Sequence, residues 1–265
     1  MTANDSMRLW LPAWALWRRE MVRFVRQRSR LTGAFLQPLV FWLLLGGGLN
    51  ASFRPASAGT ELPYVAYFFP GTVVLVLLFT AIFATISTVE DRKSGFLQGV
   101  LVAPVPRWVI TLGQVLGGAS LALLQGLLML LLAPLAGVPL SSGGLFLAIW
   151  VMFLIAVALT SLGLVIAWRM DSTQGFHAIM NLLLLPLWFL SGAFFPEAGA
   201  PAPLRWLMRM NPLSYGMAAL RRALYWSNAQ VLPPLPSWGV GLTVTVAFAA
   251  ASFAAAVWSS QRKLG

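Results

Sequence analysis

The sequence predicts an all-α membrane protein with six transmembrane helices, and two observations support this prediction. First, 59% of the 265 residues are hydrophobic and only 9% are charged, whereas soluble domains carry about 25% charged residues. Second, the chain contains six separate apolar runs, each long enough to cross a hydrocarbon core about 30 Å thick as a helix. We therefore expect a six-span membrane domain over residues 31–265, preceded by a surface segment over residues 1–30.

The surface segment predicts an amphipathic helix. Apolar residues that include Trp14 and Trp17 share one helical face, and Arg19, Arg23 and Arg26 share another. Such a helix lies in the headgroup plane of a membrane, with its tryptophans inward and its arginines toward anionic lipid. A signal peptide fits less well, because the arginines lie between a short apolar patch and a full-length span. An arm that binds nucleic acid is the third interpretation, and it is the weakest.

The apolar runs place the spans at about residues 31–50, 65–89, 108–132, 145–168, 175–195 and 239–259. Pro186 lies inside the fifth run, and we expect it to kink or break that helix, which neighbouring helices make tolerable in a membrane. Between the fifth and sixth spans, two short helical patterns occur near residues 203–210 and 213–225. The region before the last span is therefore expected to be helical without crossing the membrane.

The distribution of lysine and arginine predicts the orientation. Six spans put both termini on one side, together with the loops at residues 90–107 and 169–172. That side holds 13 of the 18 cations, and the other side holds five. Cytoplasmic loops carry the excess of lysine and arginine, so both termini are predicted to be cytoplasmic. Most of the net charge of +11 is then explained by topology, and nucleic acid is not an expected partner.

The most informative polar stretch is residues 90–108, between the second and third spans. It opens with four charged residues, and after Ser94, taken as an N-cap, apolar residues recur at helical spacing. Pro104 and Pro106 stop any helix, since each lacks an N–H and restricts the residue before it. The spacing predicts an amphipathic helix of about two turns. An ordinary polar loop is the alternative that spacing alone leaves open.

This stretch, with its Gly-Phe-Leu at residues 95–97 and its Val-Leu-Val-Ala-Pro at residues 100–104, resembles the cytoplasmic loop of ABC type-2 transporter permeases. A second stretch, residues 186–196 followed by Asn-Pro-Leu-Ser-Tyr at residues 211–215, resembles the last cytoplasm-to-outside span of that family and its re-entrant segment. The chain departs from the family pattern at Lys93, Gln114 and Ala218. These departures concern individual polar contacts rather than the architecture.

The resemblance implies a function and a set of partners. The chain would be the membrane subunit of an exporter in the bacterial inner membrane, paired with a second permease as a homodimer. Two ATPase subunits would bind ATP and Mg²⁺, so this chain would need no cofactor of its own. The cargo would be amphipathic: a drug, a lipid or a lipid-linked oligosaccharide. The residues expected to couple to the ATPase are Glu90, Asp91, Gly95, Phe96, Leu97, Val100, Leu101 and Pro104.

A substrate path is expected along the first and fifth spans, which in the family face the seam between two permeases. Aromatic and amide side chains on these spans could contact sugars or flat rings. Packing against lipid or between helices is an equally good explanation for them. The residues in question are Phe35, Trp42, Asn181, Trp188, Phe189 and Phe194.

Other chemistry finds little support in the sequence. The two lysines, Lys93 and Lys263, do not follow a glycine-rich loop, so ATP hydrolysis is expected in a separate subunit. His177 and Ser191 would lie about 21 Å apart on a straight helix, too far for a catalytic pair. The chain has no cysteine, and we expect no metal site. An intramembrane enzyme and a membrane scaffold without transport activity are the remaining alternatives.

Overall fold

The computed structural model describes residues 3–49, 62–102 and 104–261. Regular structure within these ranges is helical throughout. Six helices are long and apolar enough to cross a membrane, at positions close to those predicted from the apolar runs. The prediction of an all-α membrane protein with six spans is therefore confirmed. The loop that contains Arg54 and Glu61 lies outside the described residues.

The chain begins with α1 (Ala3–Arg26) and then enters the first span through α2 (Arg28–Phe41), which continues to Leu49 through a π-helical turn. The second span is α3 (Tyr64–Lys93), followed by the short α4 (Phe96–Val102) and the third span, α5 (Arg107–Leu130). The remaining helices are α6 (Ser142–Ala167), α7 (Thr173–Trp188), α8 (Ala202–Met210), α9 (Pro212–Leu224) and α10 (Trp238–Gln261). The two short helical patterns predicted before the last span correspond to α8 and α9.

Helix α3 is the centre of the bundle. Its apolar window is 94% buried, and it packs against α2, α5, α6, α7 and α9. By contrast, the apolar windows of the first, fifth and sixth spans are only 22%, 33% and 28% buried. Those three spans therefore present broad apolar faces to lipid or to another protein.

The two ends of the bundle differ in what they carry. We call the end with α1 and α4 the α1 end, and the end with α8 and α9 the opposite end. At the α1 end, Gly95 adopts φ +76° between α3 and α4, a left-handed conformation that glycine adopts without strain. Ser94 caps the C-terminus of α3, where its hydroxyl donates to the carbonyl of Asp91 at 3.1 Å, and α4 begins only at Phe96. The predicted role of Ser94 as an N-cap is therefore wrong.

The fifth span breaks near the opposite end, but not at the proline. Helix α7 passes through Pro186, continues as a π-helical turn and ends at Gly192, which adopts φ +79°. Side chains from other elements bind the carbonyl groups of this irregular stretch. The Asn211 side-chain amide donates to the Leu187 carbonyl at 2.6 Å, and the Ser214 hydroxyl donates to that of Leu190 at 3.0 Å. These bonds fasten the start of α9 to the broken span, since buried carbonyls require partners in a membrane.

Candidate functional site

Helix α1 lies along α5, and two glycines set how closely they approach. A Cβ at Gly113 would lie 2.7 Å from the Ala13 carbonyl oxygen, and a Cβ at Gly117 would lie 2.9 Å from Cβ of Glu20. Small residues four apart allow helix backbones to come this close. The Gly-x-x-x-Gly spacing was a signal available in the sequence, and our sequence reasoning missed it.

An ionic cluster joins α1 to the end of α3. Both guanidinium Nη atoms of Arg19 donate to Asp91, each at 2.6 Å. Arg23 donates to Asp91 at 2.7 Å and to Glu90 at 2.5 Å. The Asp91 side chain is only 5% exposed, so it pairs with two arginines in a setting where water screens little, and Glu90 supplies the second negative charge. We call these four residues the α1–α3 ionic cluster.

Glu20 of α1 places a further, buried carboxyl group beside this cluster. Its side chain is 7% exposed, accepts a hydrogen bond from the Ser87 hydroxyl at 3.0 Å, and lies 3.3 Å from Arg19. Burial raises the pKa of Glu20 above its usual range, although the Ser87 hydrogen bond and Arg19 oppose this effect. A proton therefore binds more tightly to Glu20 in the folded protein than in the unfolded chain.

Replacing Glu20 by glutamine is expected to keep or raise thermal stability at neutral pH. A raised pKa means that protonated Glu20 stabilises the fold below the ordinary glutamate pKa, and that this contribution is lost as pH rises through the folded-state pKa. Glutamine imitates the protonated form at every pH. Melting temperatures of the purified chain, measured from mildly acidic to neutral pH, should depend less on pH in Glu20→Gln. Glu20→Ala, which also removes the acceptor for Ser87, should be less stable than Glu20→Gln, and the reverse order would contradict this account.

The structure changes the role expected for several residues of α1. Arg19 and Arg23 bind the chain's own carboxylates instead of facing lipid, because the end of α3 lies beside them. Trp17 donates from its indole to the Ser120 hydroxyl at 3.1 Å, so it too faces the bundle. Trp14 and Arg26 remain exposed. The α1 helix is therefore attached to the bundle along one face, which corrects the arrangement predicted from amphipathicity alone.

The short helix expected between Gly95 and Pro104 is present as α4. The side of α4 that faces the bundle differs from the one expected. Leu97 is 2% exposed and packs with Val115, Leu164 and Trp168 of the chain itself. It is therefore not on a surface that a partner can reach, which corrects the prediction that it anchors α4 in a partner's groove. Asp91 is likewise occupied within the chain. The side chain of Leu101 lies outside the described residues.

The accessible side of α4 is formed by other residues. Phe96 is 42% exposed and carries the Arg19 guanidinium over its ring, 3.8 Å from the centroid. Val102 is 86% exposed, and a Cβ at Gly99 would meet nothing within 4 Å. Val100 is half-buried and Pro104 is exposed. We call Phe96, Gly99 and Val102 the open face of α4; it is an apolar surface on the α1 end of the protein.

Residues predicted to line a substrate path divide into two groups. Trp42 and Trp188 are buried, and their indoles donate to the carbonyls of Val65 and Gly71. These two rings pack inside the single chain, which corrects their placement on a path. Phe35 and Phe194 are half-buried, whereas Asn181 on α7 and Phe189 in the π-helical turn after it are exposed.

His177 and Ser191, the two residues considered as a catalytic pair, contact different parts of the structure. His177 packs edge-on against the rings of Phe83 and Phe176 near the start of α7. The Ser191 hydroxyl donates to the Trp188 carbonyl near the opposite end. The structure gives them different neighbours.

Comparisons with known proteins agree with one another. A family model described as "ABC-2 type transporter" matches residues 13–225. Nodulation protein J of Sinorhizobium fredii is 28% identical over 255 residues, which cover 94% of this chain and 93% of the relative. Inner membrane transport permease YadH of Escherichia coli is 24% identical over 240 residues, 90% of this chain and 92% of the relative. The putative transport permease ycf38 of Cyanophora paradoxa is 28% identical over 208 residues, 77% and 71% respectively.

Proposed function

The chain belongs to the ABC-2 type transporter family, and we propose that it is the permease subunit of an exporter whose ATP hydrolysis occurs in a separate subunit. The observation that carries the proposal is the open face of α4, an apolar surface beside the α1–α3 ionic cluster. In a family of ABC transporters, an ATPase is the partner expected there. The coupling role is assigned to residues 90–107, and residues 31–265 form the permease domain.

The contacts around α4 suggest how movement of an ATPase would reach the spans. Only Ser94 and Gly95 separate α4 from α3, the helix that touches most of the bundle. Arg92, at the end of α3, donates to the Trp168 carbonyl at 2.7 Å and pairs with Asp171 at 3.0 Å. A push on α4 would therefore act on α3 directly, on the α6–α7 connection through Arg92, and on α1 through Asp91.

The cation asymmetry supports a cytoplasmic position for the α1 end. The opposite end, with α8 and α9, would then lie at the outer surface as the re-entrant segment over residues 196–236. The protein would be a multi-pass protein of a bacterial inner membrane, with both termini cytoplasmic.

A second permease is the partner proposed for the exposed apolar faces of the first and fifth spans, most simply another copy of this chain. Asn181 of α7 and Phe189 of the π-helical turn that follows it are exposed, and a seam between two copies would enclose such groups. An amphipathic cargo, whether drug, lipid or lipid-linked oligosaccharide, suits a path between apolar faces of this kind. The amide of Asn181 would then find a polar partner across the seam or in the cargo.

The partner ATPase provides the first test. The purified chain alone is expected to show no ATP hydrolysis above a detergent blank, and a co-expressed ATPase from the same gene neighbourhood should co-purify with it. Reconstituted together, the two should export an amphiphile only when ATP and Mg²⁺ are present. Hydrolysis by the lone, contaminant-free chain would contradict the proposal, and ATPase binding without any export would favour a scaffold.

Orientation can be tested by single cysteines, because the native chain has none. Ser172→Cys, at the α1 end, should be shielded from an impermeant thiol reagent in intact cells, and Ser94→Cys should behave alike. Ser141→Cys, which lies before α6 at the opposite end, should be labelled, as should Ser57→Cys in the loop outside the described residues. Labelling of Ser94→Cys in sealed cells, with Ser141→Cys protected, would reverse the orientation.

A further inference from the structure

A cavity of about 460 Å³ lies at the opposite end of the bundle, between the broken end of α7 and helices α8 and α9. Three arginines line it: Arg205 and Arg209 from α8, and Arg221 from α9. Among the lining residues within the described ranges, Glu197 is the one carboxylate, and Arg209 donates a hydrogen bond to it. The lining therefore carries a net positive charge.

Arg221 is the most deeply buried of these cations, with 3% of the residue exposed. One Nη atom donates to the Gly192 carbonyl at 2.8 Å and to the Tyr67 carbonyl at 3.3 Å. The guanidinium also lies over the Tyr67 ring, 4.0 Å from its centroid. These contacts hold its plane in place, but they supply neutral carbonyls and a ring, not an anion.

Two N–H groups in this lining lack acceptors. The Nε atoms of Arg221 and Arg205 are buried and have no hydrogen-bond partner within the described part of the chain. Arg205 uses one Nη atom to bind the Ala200 carbonyl at 3.0 Å. Buried cations are costly unless an anion or further acceptors compensate them. The cavity thus has the charge and the unpartnered N–H donors that suit an anion.

We propose that this cavity binds the phosphate group of an amphiphile. A phosphate offers several oxygens at once, and arginine is the side chain best suited to bind them through multiple N–H groups. Part of the remaining lining, including Met208, Met217 and Pro234, is apolar and can accept the start of an alkyl chain. The inference rests on the proposed function in one respect: it narrows the amphipathic cargo to one that bears phosphate and is received at this end of the transporter.

The test requires a variant that offsets the positive charge of Arg221 without removing the arginine itself. Arg221→Gln would also remove hydrogen bonds that hold the broken end of α7, so loss of binding there would be ambiguous. Ala218 lines the same cavity and precedes Arg221 by three residues on α9, a spacing at which helical side chains meet. In Ala218→Asp, a carboxylate can pair with Arg221 inside the fold. Ala218→Asn has nearly the same size without the charge and is the matched control.

Binding of dodecyl phosphate to the purified full-length chain in neutral detergent should be saturable. Ala218→Asp should raise its Kd about tenfold or more, the scale of one lost charge-assisted contact, and Ala218→Asn should raise it much less. Arg205→Gln should also weaken binding. Inorganic phosphate should compete only weakly if the site takes an amphiphile, and competition by free phosphate at equal concentration would overturn that part of the proposal.

Equal Kd values for Ala218→Asp and Ala218→Asn, or no saturable binding to the unaltered chain, would overturn the anion site. Co-purification of the ATPase, measured on the same preparations, reports on the α1 end and should be unchanged in both variants. A failure of the proposed function would appear as absent ATPase binding in the unaltered chain, which is a separate readout from Kd.

Discussion

Asp91→Asn is expected to destabilise the protein by about 3 kcal/mol, near the lower end of what breaking a buried ion pair costs. The carboxylate accepts three short hydrogen bonds from Arg19 and Arg23 and is itself 5% exposed. Asparagine carries no charge, so Glu90 would be the one carboxylate of the cluster left to offset its two arginines. The side chains of Arg19 and Arg23 are 31% and 22% exposed, so water can solvate them in part, and this keeps the loss from being larger.

Asp171→Asn is the matched control for this prediction. Asp171 also pairs with an arginine, Arg92, at 3.0 Å, but its side chain is 84% exposed. Exposed pairs contribute about 0–1 kcal/mol, so this variant should stay close to the unaltered protein. The two substitutions make the same chemical change at the same end of the protein, and the sites differ in burial and in the number of arginines that pair with the carboxylate.

The comparison requires thermal unfolding of the purified full chain, together with limited proteolysis of α1. Asp91→Asn should unfold at a lower temperature and release α1 to protease first, since the ionic cluster attaches α1 to α3. Asp171→Asn should do neither. Equal stability of the two variants would show that the cluster contributes no more than a surface ion pair. In that case the close packing of α1 against Gly113 and Gly117 of α5 would be enough to hold α1 in place.

The spans were predictable because the length and hydropathy of an apolar run identify a membrane helix, and both are local properties of the sequence. The position of the break in the fifth span was harder to predict from the sequence. Pro186 is the obvious interruption in the sequence, yet the irregular backbone ends at Gly192 because Asn211 and Ser214 bind the carbonyls freed there. Those partners lie about twenty residues further along the chain, and no local pattern connects them to the break.

The ionic cluster shows a second limit of sequence reasoning. A basic amphipathic helix usually lies on a membrane, so the sequence predicts that the arginines of α1 face lipid. Their partners in the structure are Glu90 and Asp91, and the sequence does not indicate this pairing because about seventy residues separate these carboxylates from α1. Amphipathicity identifies the polar face of a helix correctly, but it does not say which polar groups that face meets.

Helix α4 shows the same limit on a smaller scale. The pattern Phe96, Leu97, Val100, Leu101 identifies an amphipathic helix, but it does not say whether its apolar side faces the bundle or a partner. The structure buries Leu97 in the bundle and leaves Phe96, Gly99 and Val102 open. Substitutions intended to test docking must therefore be made on the open face of α4.

Val102→Asp is expected to abolish stable binding of the ATPase while leaving the permease itself folded. Val102 is 86% exposed, so the chain loses little of its own packing when the side chain becomes polar. If the ATPase buries this side chain in a groove, its apolar contribution is about 1.5–3 kcal/mol, which corresponds to roughly ten- to 150-fold in affinity. A carboxylate that enters the groove without a partner adds to that loss. Gly99→Asp, on the same face, should act in the same direction.

Leu97→Asp separates docking from folding, because Leu97 packs against Val115, Leu164 and Trp168. A charge there would destabilise the permease itself, so yield and melting temperature should fall before any ATPase is added. Co-purification of the ATPase, with thermal unfolding of the permease alone as the second measurement, distinguishes the two effects. Val102→Asp and Gly99→Asp should lose the partner at an unchanged melting temperature, and Leu97→Asp should lose both. If both open-face variants retain the ATPase and support ATP-dependent export, then α4 does not dock on it, and the ATPase must bind the α1 end through other residues.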